Sequence, residues 1–303
     1  MSLFGRLVVT TLPLIPRSLV GRVASRYVAG ETRAEALNMV RELNKTGACA
    51  TLDLLGEEVF ERPKAAAAVA EYVGLFADIE NQGLDANVSI KLTLLGLKID
   101  ESFCRENVRT IAAAAAESGN FVRIDMEDSS CTDPTIRIYN AVHAEQGNLG
   151  VVFQAYMRRT LDDIGELPED KPNVRLCKGI YIEPRPLAWK GYETVRANFT
   201  AALEKLLAND VYVGIATHDE HLACEAEILI DRLGVAPDRY EFQMLLGVDE
   251  ELRSILLERG HRLRVYVPYG KDWYAYSTRR LRENPEVARH VVRATLGLGP
   301  ERR

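Results

Sequence analysis

Val211-Tyr212-Val213-Gly214-Ile215-Ala216-Thr217 opens the stretch that decides the fold. It is a short apolar, β-branched run, and it reads as a strand. A helical pattern follows over residues 220–233, then a second strand-like run at 240–246. Another helix fits 249–259, and a third strand fits 261–267. Each unit is too short to be a domain, and no linker or low-complexity tract separates one from the next. Repeated β–α units without a break imply parallel strands joined by crossover helices.

The same alternation extends upstream. Helices are expected at 34–44, 63–79, 101–117 and 192–208, with a further helix opened by Pro134. Strands are expected at 48–54, 87–92, 121–126, 150–156 and 173–179. About eight strand–helix units result. They point to an α/β fold of the closed (βα)8 TIM-barrel type, a single domain over 1–303 with residues 1–46 as an N-terminal helical segment. A doubly wound sheet is the runner-up, weakened because no G-x-G-x-x-G follows the first strand.

Composition agrees with a soluble enzyme-sized domain. The chain has 303 residues, 47% hydrophobic and 27% charged, with a net charge of −6. An acidic chain without a basic domain argues against nucleic acid as a partner. The five cysteines (Cys49, Cys104, Cys131, Cys177 and Cys224) are scattered, with no C-x-x-C pair. They suggest neither a disulfide framework nor a thiolate zinc site, and they fit a reducing cytoplasm. The apolar run at 7–15 is short and broken by Pro13, with Pro16 just beyond, so it reads as an amphipathic lead-in and not as a signal peptide. No apolar run is long enough to span a membrane.

In a parallel barrel the functional groups stand at the C-terminal ends of the strands. Those ends carry Asp53 and Glu57, then Lys91, then Asp125, Glu127 and Asp128, then Gln154. Arg175 and Lys178 follow, then Thr217 and His218, Gln243 and Leu245, and finally Tyr266 and Tyr269. Near the C-terminus, helical spacing puts Tyr276, Arg279, Arg280 and Glu283 on one strip. Two guanidiniums beside a phenol suit a small carboxylate, because arginine binds carboxylates in a planar, bidentate way. A solvated Arg/Glu surface helix is the plain alternative. Lys91, Arg175, Lys178, Arg279 and Arg280 together would make the mouth of an acidic protein locally basic, which fits a ligand with several anionic groups.

These residues fall in segments that resemble the proline dehydrogenase family. The segments are Ala29-Gly30-Glu31-Thr32, Thr51-Leu52-Asp53-Leu54-Leu55-Gly56-Glu57, Ser89-Ile90-Lys91-Leu92-Thr93 and Asp125-Met126-Glu127-Asp128-Ser129. Phe153-Gln154-Ala155-Tyr156, residues 175–181, Ala216-Thr217-His218-Asp219, Glu241-Phe242-Gln243, Tyr266-Val267-Pro268-Tyr269-Gly270 and residues 276–283 continue the series. Any one is weak evidence; the whole series in family order is specific.

The resemblance implies a distorted barrel with the last helix over its mouth. It implies noncovalent FAD and oxidation of L-proline to Δ1-pyrroline-5-carboxylate, with electrons passed to a membrane quinone. It also implies transient contact with a pyrroline-5-carboxylate (glutamate-semialdehyde) dehydrogenase, and a cytoplasmic protein peripheral to the inner face of the membrane. The basic stretch 17–26 is one candidate for that contact; a solvated helix face is the other reading. By the same resemblance Lys91, Arg279 and Arg280 hold the proline carboxylate. Tyr266, Tyr276 and Leu245 wall the ring, Glu283 supports the arginines, and Glu57 pairs with Arg279 as a gate. Asp125 organises the pocket, and Arg175 serves both catalysis and the flavin. Met126, Gln154, Lys178, Gly179, Ile180, Thr217 and His218 contact FAD. Ile180 departs from the family, where alanine is common at that point.

Two other chemistries can be drawn from the residues. A Schiff-base lyase would use Lys91 or Lys178 as nucleophile, with a depressed pKa. A metal-dependent hydrolase would use His218-Asp219-Glu220-His221. A noncatalytic binding barrel is the remaining alternative.

Overall fold

The computed structural model describes residues 21, 24–170, 172–209, 211–274, 276 and 277. Within them, eight parallel strands close into a barrel in sequence order. The strands are β1 (Cys49–Leu54), β2 (Ala86–Ile90), β3 (Val122–Ile124) and β4 (Leu149–Gln154), then β5 (Asn173–Cys177), β6 (Tyr212–Ala216), β7 (Tyr240–Leu245) and β8 (Leu263–Tyr269). Closure comes from β8 pairing with β1, from Cys49 against Arg264 to Leu54 against Tyr269. The doubly wound alternative is thereby excluded.

Helix α1 (Arg33–Lys45) precedes the barrel and packs Ala36, Leu37, Val40 and Leu43 against it. Its start is set by a capping box between Thr32 and Glu35, which satisfies two backbone donors that a helix start leaves open. Helices α2 (Arg62–Asn81), α3 (Glu101–Glu117), α4 (Ser129–Gln146) and α5 (Thr160–Gly165) follow the first four strands. Helices α6 (Tyr192–Leu207), α7 (Glu220–Leu233) and α8 (Glu250–Glu258) follow the next three.

Most expected elements match to within a few residues, because apolar periodicity and caps agree. Two corrections are needed. Pro134 does not open α4 but lies in its second turn. The opening is set earlier by Asp128, whose carboxylate accepts from Ser130 N. Proline there removes one interior donor without ending the helix. The second correction is α5, six residues long and too short to leave a periodic signal. Of the N-terminal segment expected to be helical over 1–46, α1 covers 33–45; residues 1–20, with the apolar run at 7–15, lie outside the described residues.

The outward strand residues pack under the helices as one apolar core that includes Leu52, Ile90, Ile124, Leu176, Ile215 and Val265. The lumen is polar instead. Arg123 is almost fully buried and donates to Val151 O at 3.1 Å and Asn173 O at 2.7 Å. Burial, with the neighbouring Arg175 charge, pushes its pKa down to about 9. Gly150 makes room for it: a Cβ at that position would stand 2.3 Å from the Arg123 guanidinium.

Glu241, almost fully buried, receives Arg264 Nε at 2.6 Å and Nη2 at 3.0 Å. Burial pushes the carboxyl pKa up, but Arg264, Gln243 and Arg262 outweigh it and hold it at about 2. A carboxyl depressed in this way stabilises the fold above its ordinary pKa of 4.5 and loses that contribution as pH falls towards 2. Glu241→Gln should lower unfolding free energy at pH 7 by about 3–5 kcal/mol, as expected when one partner of a buried ion pair is removed. It should also flatten the pH dependence of stability below 4.5. Urea unfolding at pH 7 and under acid conditions measures both effects.

No described helix is long and apolar enough to cross a membrane.

Candidate active site

Because all strands run the same way, their C-terminal ends ring one mouth, and a cavity of about 1050 Å³ opens there. That is at the upper end of the roughly 300–1,000 Å³ usual for small-molecule sites. Lys91, Asp125, Tyr266, Leu245 and Tyr276, all expected on the substrate side, line it. So do the residues expected on the cofactor side: Met126, Gln154, Arg175, Lys178, Gly179, Ile180, Thr217 and His218. Glu57 is half-buried on the loop after β1 and does not line the cavity. Arg279, Arg280 and Glu283, and with them the Glu57–Arg279 gate, lie outside the described residues.

A charged network fills the cavity floor. Lys91 Nζ lies 2.6 Å from Asp53 Oδ1, 3.3 Å from the Tyr266 hydroxyl and 3.8 Å from Asp125 Oδ2. The Tyr266 hydroxyl donates to Asp125 Oδ2 at 2.6 Å, and Arg175 Nη1 donates to Asp125 Oδ1 at 2.7 Å. Arg175 also donates to Ser89 Oγ at 3.0 Å and to Gln243 Oε1, and Gln243 donates to Glu241 Oε1 at 2.6 Å. Burial, then the Asp125 and Asp53 charges, push the Tyr266 pKa well above its ordinary value, so it remains a phenol and a donor. Burial works against the Lys91 ammonium, but Asp53 and Asp125 prevail and hold its pKa above the ordinary value.

The opposite wall is built by β5, β6 and the helices after them. Leu245 N donates to His218 Nε2 at 2.7 Å, so that nitrogen carries a lone pair and the neutral ring bears its proton on Nδ1. Asp219, next along the chain, accepts from Lys178 Nζ, the Tyr192 hydroxyl and Arg196 at 2.7–3.1 Å. Burial raises its pKa, but these donors dominate and hold it well below the carboxylate range. Gly179 has φ +104°, and a Cβ there would stand 2.1 Å from the Tyr156 ring. The chain is thus pressed against Tyr156 at the point where it turns over the cavity.

These contacts weaken the other chemistries. The Schiff-base reading needs a lysine with a depressed pKa, and Lys91 is shifted the other way. Lys178 Nζ is engaged by Asp219 at 3.1 Å. In the metal reading, His218 Nε2 is taken by a backbone N–H and Asp219 by cationic and phenolic donors.

Tyr192 and Arg196 line the cavity without having been assigned roles, and Asp219 and His221, expected only in the metal-hydrolase reading, line it as well. Asp219 directly follows Thr217-His218, and Arg196 stands one helical turn after Tyr192, so adjacency to the assigned strand ends was the available signal. Tyr27, from the segment before α1, had no such signal.

A proline dehydrogenase family model matches residues 36–293. The chain belongs to the proline dehydrogenase family. It is 36% identical over 273 residues to proline dehydrogenase 1 of Bacillus subtilis (strain 168), covering 90% of each chain. It is 35% identical over 287 residues to proline dehydrogenase of Deinococcus radiodurans, covering 93% of each. Among solved structures, proline utilization A from Bdellovibrio bacteriovorus aligns with a TM-score of 0.80 at 24% identity, over 86% of this chain and 32% of that one. The Corynebacterium freiburgense protein gives 0.77 at 22% identity, over 99% and 35%. The chain spans about a third of those longer proteins, and that likeness shows the shared (βα)8 fold.

Gly179→Ala should cost about 1–3 kcal/mol of stability, from the left-handed backbone and the contact with Tyr156. Urea denaturation checks it; a variant as stable as the parent would contradict the close packing.

Proposed function

We propose that this chain oxidises L-proline to Δ1-pyrroline-5-carboxylate with noncovalently bound FAD and passes the electrons to a membrane quinone. The observation that carries the proposal is the mouth cavity of a proline dehydrogenase family member. One side of it is a compact acid–base cluster and the other a broader cationic wall. The residues fit both ligands. Lys91, Asp125 and Tyr266 converge on a space suited to a small amino acid. Lys178, Arg196, Thr217 and His218 offer polar groups along one wall of the cavity of about 1050 Å³, and Gly179 keeps the backbone close there.

When bound, FAD would supply the acceptor for hydride from proline C5. The chain's own residues do the rest. Lys91, with Arg279 and Arg280, neutralises and orients the substrate carboxylate. Tyr266, Tyr276 and Leu245 enclose the ring and exclude water. Asp125 fixes Tyr266 on one side and Arg175 on the other, so both groups are set before substrate arrives. Arg175 gives the floor a permanent cation, the electrostatic partner for negative charge developing in a flavin. In this reading Glu57 would serve as a gate with Arg279, and Glu283 would support the arginines; Arg279, Arg280 and Glu283 lie outside the described residues.

The bifunctional protein PutA of Escherichia coli is 26% identical over 317 residues, covering 86% of this chain and 23% of that protein. By analogy, handover of the product to a separate pyrroline-5-carboxylate dehydrogenase is part of the proposal. So is peripheral placement at the inner membrane face.

An anaerobic absorbance spectrum of the purified protein tests the reading. A flavin spectrum that bleaches on adding L-proline is expected. No flavin after reconstitution with FAD, or a flavin that proline leaves oxidised, would overturn it. Arg280→Met should weaken proline binding by about 10-fold or more, as for loss of a charge-assisted contact, while flavin binding is retained. Parallel loss of both in titrations would refute the carboxylate role.

A further inference from the structure

Asp53 ends the buried part of β1, and its side chain is 0% exposed. It does not line the cavity, whereas Lys91 does. Its Oδ1 lies 2.6 Å from Lys91 Nζ, the shortest contact that ammonium makes among the described residues. Asp125 is the other carboxylate near Lys91, but it is 3.8 Å away and already receives Arg175 at 2.7 Å and Tyr266 at 2.6 Å. An ammonium has three N–H groups. One is directed to Asp53 and one to the Tyr266 oxygen, which leaves one for a ligand in the cavity.

We propose that Asp53 is a positioning residue for the substrate carboxylate: it fixes the direction of the Lys91 ammonium and keeps it charged, although it never touches substrate. The inference rests on the proline-oxidising reading of this site.

The surroundings support it. A lysine side chain only 7% exposed would by itself tend to lose its proton, since burial disfavours the charged form. The groups facing Lys91 are Asp53 from β1, Glu57 from the following loop, Asp125 from the end of β3 and Tyr266 from β8. Arg175, on β5, lies beyond Tyr266 and is ion-paired with Asp125. Behind Asp53, the Tyr72 hydroxyl is occupied by backbone: it donates to Ser89 O at 3.0 Å and accepts from Leu54 N at 3.2 Å. Among these, Asp53 alone makes a charged contact under 3 Å with Lys91. Asp53 is the largest of the influences that raise the Lys91 pKa, so without that charge Lys91 would titrate at lower pH.

The test compares flavin-loaded wild type with Asp53→Asn. The ligand is tetrahydrofuran-2-carboxylate, the proline ring with oxygen in place of the amine. It has no titrating amine, so an alkaline loss of affinity reports on the protein. In Asp53→Asn the flavin content should be unchanged and affinity at neutral pH about 10-fold weaker, the scale of one charge-supported contact. The alkaline loss of affinity should set in roughly one pH unit or more below that of wild type. An identical pH profile in the two proteins overturns the proposal, and so does a parallel loss of flavin. Should Asp53→Asn not fold, Asp53→Glu decides, because it keeps the charge while displacing it. Weaker binding with an unmoved alkaline limb supports the assignment, and a limb shifted downward overturns it. Wild type that proline fails to bleach would sink the functional reading itself. A wild type that bleaches beside an unaffected Asp53→Asn sinks only this inference.

Discussion

The structure depends on alternating buried charge threaded through the barrel. The contacts run from Asp53 through Lys91, Tyr266, Asp125, Arg175 and Gln243 to Glu241 and Arg264. Each group is costly to bury alone and acceptable only because the next one satisfies it. The series draws on β1, β5, β7 and β8 and on the residues that directly follow β2 and β3, so strands far apart in sequence are held in register by polar demand as well as by backbone pairing. Many barrels fill this space with branched apolar side chains. Here the lumen joins the site at one end to an ion pair deep in the barrel.

That arrangement also ties the floor of the site together through mutual hydrogen bonds. Asp125 is held by two donors, the Tyr266 hydroxyl and the Arg175 guanidinium. Preorganised charge of this kind acts on a ligand without first having to reorganise. The opposite wall is tied differently: His218 is bonded to the backbone of Leu245, so the surface expected to meet the cofactor and the one expected to meet the substrate ring share a hydrogen bond.

Much of this was legible in the sequence. Eight parallel strands follow from apolar runs separated by amphipathic helices, and polar residues at strand ends such as Lys91, Asp125, Arg175 and His218 stand out against them. The order of the motifs then identifies the family. What could not be read was pairing. Nothing in the spacing of Asp53 and Lys91 says that they touch, because parallel register is a tertiary property. Nor does composition separate the lumen arginines Arg123 and Arg264 from surface ones. Pro134 misled because proline favours helix starts, yet the Asp128 cap settles where α4 begins. The strip formed by Tyr276, Arg279, Arg280 and Glu283 is described only at Tyr276, which lines the cavity.

The mouth is finished by parts of the chain that are remote from one another. Val28, Leu55 and Tyr276 form a small apolar cluster with Trp273 against it, and the backbone at Ala29 and Gly30 bonds to Pro268 and Gly270. Pairing of β8 with β1 joins residues more than two hundred positions apart. Contacts of such separation form late, because a long loop must be closed before they are rewarded. Ligand affinity should therefore emerge only in the last stage of folding. On the ribosome, the seam between β1 and β8 stays open until β8 has left the exit tunnel.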